Sequence, residues 1–236
     1  MPLIDFYDEQ YKYEICVDEV GRGCMFGDAV VACVILPKPC TFSRGNIKDS
    51  KKFSSKKKLF EEAENIKQNA LYYHTFSVPP ETIDDINILQ AVMLGMHQCI
   101  DCAIDFILSI DPHVNCKDII AVIDGNYFRP MKFKNESLPF VTIKQGDGKY
   151  LGIAAASIIA KTTRDTNIYT LCKNAPFLND RYDLAKNVGY GTKTHIEGIR
   201  KYGITSAHRR SFGICKTANI TENIDKNMYD EEYFSN

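Results

Sequence analysis

Acidic residues set where a chain should be most apolar are the first chemistry visible in this sequence. Ile15, Cys16 and Val17 read as the start of a buried strand, yet Asp18 and Glu19 follow side by side before Gly21-Arg22-Gly23 turns the chain. A second apolar run, Ile119 to Ile123, ends in Asp124-Gly125, and a third, "FVTI", runs on into Gln145-Gly146-Asp147. Adjacent carboxylates near a core repel each other and are costly to desolvate, and a bound cation is the usual compensation. Strand ends of an α/β sheet converge on one rim. Four carboxylates there make an all-oxygen site suited to Mg²⁺ or Mn²⁺ rather than Zn²⁺, since neither His nor Cys accompanies them. Two such ions about 4 Å apart clamp the attacking and leaving oxygens of a phosphodiester. Each acid alone is also what a turn after a strand looks like, and Gly-Arg-Gly alone is a tight hairpin turn. Only the four acids together, with basic zones elsewhere, point to metal-dependent phosphoryl chemistry.

The elements that must position these acids read as an α/β layer fold with a mixed sheet. Strands are expected at 15–17 and 29–36, paired through the Gly-rich turn, at 71–78 and 119–123, and within "FVTIKQGDG" running to Asp147. Ser54 or Ser55 could cap a helix over 56–68 whose apolar face is Leu59, Phe60, Ala63 and Ile66. A long helix follows Pro80. Another begins near Leu151, where Ala154, Ala155, Ala156 and Ser157 would let it lie close to the sheet. A last helix closes at Gly203, and the polar tail is expected to fray.

The chain has 236 residues, 44% of them hydrophobic and 25% charged, enough for one domain with a sizeable core. No apolar run reaches the roughly 18 residues that span a bilayer, and "MPLIDFYDEQYKYE" lacks a signal pattern. A cytoplasmic protein without a membrane partner is expected. The nine cysteines are odd in number and scattered, and the one CxxC (Cys99, Cys102) lies inside a helical stretch, so reduced thiols fit better than a zinc site. Net charge is −1, but six lysines fall between Ile47 and Lys58 and seven basic residues between Lys186 and Lys216, with one acid in each zone. Such zones suit a polyanion-binding face; the first is equally a solvated lysine-rich helix.

The segments "VDEVGRG", "KDSKKFSSKKK", "VIDGN", "GDGKYLGIAAASIIAKTTRD" and "GYGTKTHIEGIRKYG…HRRSFG", in this order from Ile15 to Gly213, resemble ribonuclease HII, the type 2 ribonuclease H. The resemblance implies a ribonuclease H-like mixed sheet flanked by helices. It implies a catalytic domain over 1–183, a C-terminal helical substrate-binding segment of the same domain over 184–217, and a flexible tail over 218–236. It implies endonucleolytic cutting of RNA in RNA–DNA hybrids and 5′ to single ribonucleotides embedded in duplex DNA, leaving 3′-hydroxyl and 5′-phosphate ends. Asp18, Glu19, Asp124 and Asp147 match the acids that hold two Mg²⁺ or Mn²⁺ ions. Gly21, Arg22 and Gly23 match the loop whose main chain meets the 2′-hydroxyl, the group that tells RNA from DNA. Tyr190 matches the tyrosine that packs on the following deoxyribose. Lys51 and Lys52 would touch phosphates; so would His208, Arg209 and Arg210, unless the arginines instead hold a helix by ion pairs.

This chain departs from the family pattern at Cys24 and Asp28, where proline is usual, and at Gln145, where lysine is usual. Asp28 either adds charge near the metals or faces solvent. The sister ribonuclease HIII is the nearest rival, though it carries Gly-Thr-Gly where Arg22 sits. A non-catalytic hybrid-binding protein and a subunit silent without partners are the others. A monomer is expected, and the spacing of "MYDEEYF" fits a sliding-clamp peptide poorly, so a clamp partner is not.

Overall fold

A computed structural model describes residues 2–39, 47, 50, 53–224 and 228. Its first strand, β1 (Tyr13–Val20), is buried from Tyr13 through Asp18, and β2 (Ala29–Ile35) is buried throughout. Helix α1 (Lys56–Asn69) starts at Ser55, whose hydroxyl accepts from Lys58 N, as an N-cap should. It buries Leu59, Ala63 and Ile66 as expected, with Glu62 in place of Phe60. Strand β3 (Tyr72–Val78) follows.

The long helix α2 (Pro80–Ile110) is not continuous. Asn87 stands at φ 67°, ψ 160°, and its Oδ1 accepts from Leu89 N and Gln90 N. That backbone is not helical, and the asparagine side chain caps the helix that starts beyond it, so the expected single helix is two. One stretch of α2 is long and apolar enough to cross a membrane by length and composition, at mean hydropathy 1.5, but 56% of it is buried inside the protein.

Strand β4 (Ile119–Asp124) precedes a short antiparallel hairpin, β5 (Lys132–Phe133) with β6 (Glu136–Ser137). Lys134 and Asn135, both at positive φ, form its turn. Strand β7 (Phe140–Ile143) and helix α3 (Leu151–Asn174) follow. Then come α4 (Phe177–Tyr182), α5 (Leu184–Asn187), α6 (Lys193–Tyr202), β8 (Ile204–Thr205) and β9 (Ile220–Glu222), the last two paired in parallel. The five-stranded sheet runs β3-β2-β1-β4-β7, with β1, β4 and β7 mutually parallel.

The chain forms two compact units. The first holds Met1–Val20, Val31–Phe76 and Met93–Thr162; the second holds Gly21–Val30, Ser77–Val92 and Thr163–Asn236. In the first, Cys16, Ile120, Val122 and Ile153 make a cluster on one side of the parallel strands. The start of α3 lies close to it because position 152 is glycine: a Cβ there would collide with Cys16 Sγ and Cβ. Ala154, Ala155 and Ala156 are fully buried, so the small-residue helix does approach the sheet. The core of the second unit includes Phe26, Ile168, Leu178, Tyr182, Ile199 and Ile204.

Candidate active site

The acids of the first unit sit at the carboxyl ends of neighbouring parallel strands. Val17 pairs with Ile123 and Asp124 with Ile143, and the register continued by one residue sets Asp18 beside Asp124. Asp18 is 5% exposed, and its Oδ1 accepts from Glu19 N at 2.7 Å. Burial pushes its carboxyl well above the ordinary 3.8, and the charges of Glu19 and Asp124 push it further. Hydrogen bonds from the Ser157 hydroxyl and Glu19 N only partly oppose this. Asp124 Oδ1 accepts from Gly146 N at 2.6 Å.

That close approach explains a glycine. A Cβ on Gly146 would meet Ile153 Cδ1 and lie 3.2 Å from Asp124 Oδ1. Gln145 at φ 54° turns the chain into the single 3₁₀ turn Gly146–Gly148, which carries the buried Asp147. Gln145 itself is exposed. Among the described residues, no three His, Cys, Asp or Glu side chains are gathered tightly enough to cage an ion as they stand. The acids are near enough for Asp18 to feel Glu19 and Asp124. Their donors are all carboxylate oxygens, the set that suits hard divalent cations. No motif in the sequence marks Ser157 for chemistry. It bonds Asp18 and lies 3.1 Å from Ser50 Oγ; a serine inside a buried alanine run is the signal that could have found it.

The glycine loop and Tyr190 belong to the second unit. Gly21 stands at φ 85°, where a Cβ would collide with Arg164 Nε and Cδ. Gly23 is different: it is exposed, and a Cβ there meets nothing within 4 Å. Arg22 is also exposed. The loop's path is set from beneath by Arg164, a second residue that sequence reasoning misses. It is 1% exposed and donates to Asp28 O, Val188 O and Phe26 O at 2.7–2.8 Å. Tyr190 is 43% exposed, and its hydroxyl pKa is raised, by burial first and then by Cys24.

Two expectations need correction, and one of two open alternatives falls away. Arg209 and His208 do not present themselves to phosphate, since both are buried. Arg209 Nε donates to Gly27 O and Nη1 to Arg22 O; burial, and then the Arg164 charge, bring its pKa down to about 10. Asp28 does not face solvent: it is 4% exposed, and Arg209 feels its charge. Arg210 remains exposed, with Nε 3.6 Å from Asp84 Oδ2. Cys24 is buried with its thiol toward Val188 O at 3.8 Å. Lys51 and Lys52 lie outside the described residues.

The family model described as Ribonuclease HII matches residues 15–215. Ribonuclease HII of Bacteroides thetaiotaomicron is 42% identical over 198 residues, covering 84% of this chain and 88% of that protein. Among solved structures, the PCNA:RNase HII complex from Archaeoglobus fulgidus is similar at TM-score 0.60 and 26% identity, over 86% of this chain and 96% of that one. Bst-RNase HIII in complex with Mn²⁺ shares the fold at TM-score 0.55 and 15% identity, over 82% of this chain and 71% of that one. With a PCNA complex among the similar structures, the expectation of no sliding-clamp partner has no support.

Proposed function

The chain belongs to the ribonuclease HII family, metal-dependent endoribonucleases acting on RNA–DNA hybrids, and from that membership we propose that it also cuts 5′ to single ribonucleotides embedded in duplex DNA. Asp18, Glu19, Asp124 and Asp147 would hold two divalent cations, Mg²⁺ or Mn²⁺. The observation that carries this reading is the position of Asp18: a buried carboxyl set by the strand register beside Asp124 and next to Glu19, pushed up by burial first and then by those charges, is costly in the free protein and suited to a cation. Held by these acids, such cations would supply Lewis acidity and charge neutralisation for hydrolysis of a phosphodiester to a 3′-hydroxyl and a 5′-phosphate.

The rest is the chain's own work. Gly146 N orients the Asp124 carboxylate, and the Ser157 hydroxyl and Glu19 N hold that of Asp18. Gly23, with open space where a side chain would stand, lets main chain approach a 2′-hydroxyl. Tyr190 offers a part-exposed ring to the following deoxyribose. The products are a 3′-hydroxyl and a 5′-phosphate, and the working form is a monomer.

The experiment is cleavage of a DNA duplex with one embedded ribonucleotide and of a long RNA–DNA hybrid, in Mg²⁺ and in Mn²⁺, beside an all-DNA duplex and the Asp124→Asn protein. Cutting only 5′ to the ribonucleotide, lost in the variant, is expected. Cutting of long hybrids alone would remove the embedded-ribonucleotide reading, and no metal-dependent cutting at all would remove the four-acid assignment.

A further inference from the structure

Two histidines that the proposed chemistry does not use lie fully inside the second unit. His195, on the first turn of α6, and His208, after β8, are 0% and 1% exposed, and their Nε2 atoms are 3.1 Å apart. The ends of this contact decide its protons. Thr205 N lies 3.0 Å from His208 Nδ1 and can only donate, so Nδ1 is bare and the proton of a neutral His208 is on Nε2. Tyr190 O lies 3.0 Å from His195 Nδ1 and can only accept, so His195 carries its proton on Nδ1 and leaves Nε2 bare. One continuous direction results: Thr205 N–H to His208, His208 to His195, His195 to the Tyr190 carbonyl. A second proton on either ring would set two donors face to face.

The same histidine is tied to the glycine loop. His208 bridges Phe26 in antiparallel fashion. Its neighbours continue the tie: Gly27 N donates to Ala207 O and Arg209 N to Met25 O, while Met25 N donates to Gly189 O, all at 2.8 Å. His208 thus joins the loop that carries Gly21–Gly23 to the loop that carries Tyr190.

We propose that the buried His195–His208 pair is a positioning device that fixes Tyr190 against the Gly21–Gly23 loop, and so sets selectivity for a ribonucleotide followed by a deoxynucleotide. The inference rests on the substrate reading above. Neither histidine touches substrate. The rings face each other, Phe26 and Tyr182; the Tyr182 hydroxyl is turned to Gly203 O, and the Arg209 guanidinium to Gly27 O and Arg22 O. Burial lowers the pKa of both histidines, that of His208 to about 3, in keeping with two neutral rings.

The test compares wild type, His195→Phe and His195→Asn on a duplex with one ribonucleotide and on a uniform RNA–DNA hybrid, with melting temperatures, and records ¹⁵N spectra of the wild-type rings. Phenylalanine fills the space without a donor, whereas the asparagine amide can restore the donor to Tyr190 O. For His195→Phe, KM on the single-ribonucleotide duplex should rise about tenfold, the scale of one lost hydrogen bond, with kcat and the uniform hybrid changing far less. His195→Asn should recover most of the loss. The spectra should show protons on His208 Nε2 and His195 Nδ1 from pH 8 to pH 5.5. Unchanged KM in His195→Phe, equal losses on both substrates that track melting temperature, or the opposite tautomers would each overturn the proposal. Wild-type protein that cuts neither duplex overturns the nuclease reading instead, and the positioning role with it.

Discussion

At the scale of single residues, burial divides groups that the sequence writes alike. Burial pushes the Asp18 carboxyl up, and the charges of Glu19 and Asp124 push it further. Asp18→Asn should therefore raise the melting temperature of the metal-free protein at neutral pH while lowering cleavage on the order of 10³-fold, the loss of several kcal/mol of charge stabilisation. Calorimetry with and without Mn²⁺ checks both parts, since the metal-induced rise should vanish in the variant. The two glycines of Gly-Arg-Gly make a matched pair. Gly21→Ala drives a Cβ into Arg164 at positive φ and should cost about 1–3 kcal/mol. Gly23→Ala meets nothing within the protein, so stability should stay within about 0.5 kcal/mol, while KM for the embedded ribonucleotide rises. A Gly23→Ala protein with unaltered KM would remove that loop from 2′-hydroxyl recognition.

At the scale of elements, the acid site depends on how closely α3 lies on the sheet. Gly152 is the contact point, against Cys16. Gly152→Ala should destabilise by about 1–3 kcal/mol through overpacking and lower cleavage, because Ser157, one and a half turns on, would move from Asp18. Adding Cys16→Ala makes room for the new methyl and should return part of both losses, read from denaturant midpoints and initial rates. These contacts were half legible. The alanine run announced a close-packed helix, and three apolar strands ending in acids announced the rim. The break of α2 at Asn87 was not legible, since Asn within an apolar-periodic stretch carries no mark of positive φ.

At the scale of the whole molecule, charge and pH act together. His208 is ordinarily half-protonated at pH 6.5 and falls to about 3 in the fold, so the unfolded chain binds more protons between those values. Its contribution to stability is complete above about pH 6.5 and is lost as pH falls toward 3. Asp18 acts oppositely: its raised carboxyl binds a proton in the fold that the unfolded chain releases, so the metal-free protein loses stability as pH rises. Adding Mn²⁺ should cancel the Asp18 part and leave the His208 part, which melting curves from pH 4 to pH 8 would separate. Duplex binding should weaken as salt rises, but less steeply than thirteen basic residues in the two zones suggest. Arg209 is buried, and Lys193 and Arg210 lie within 4 Å of Glu197 and Asp84.

The sequence by itself determined the family and the apolar strands that run into acids, because short-range patterns carry those facts: apolar runs closed by carboxylates, glycines at turns, alanines on one helix. Only the tertiary structure decided what the buried arginines do. Arg164 and Arg209 find their partners in main-chain carbonyls 136 to 187 residues away, apart from Val188. A carbonyl acceptor is the same at every position, so nothing in the letters distinguishes an arginine that will reach a phosphate from one that will hold a loop.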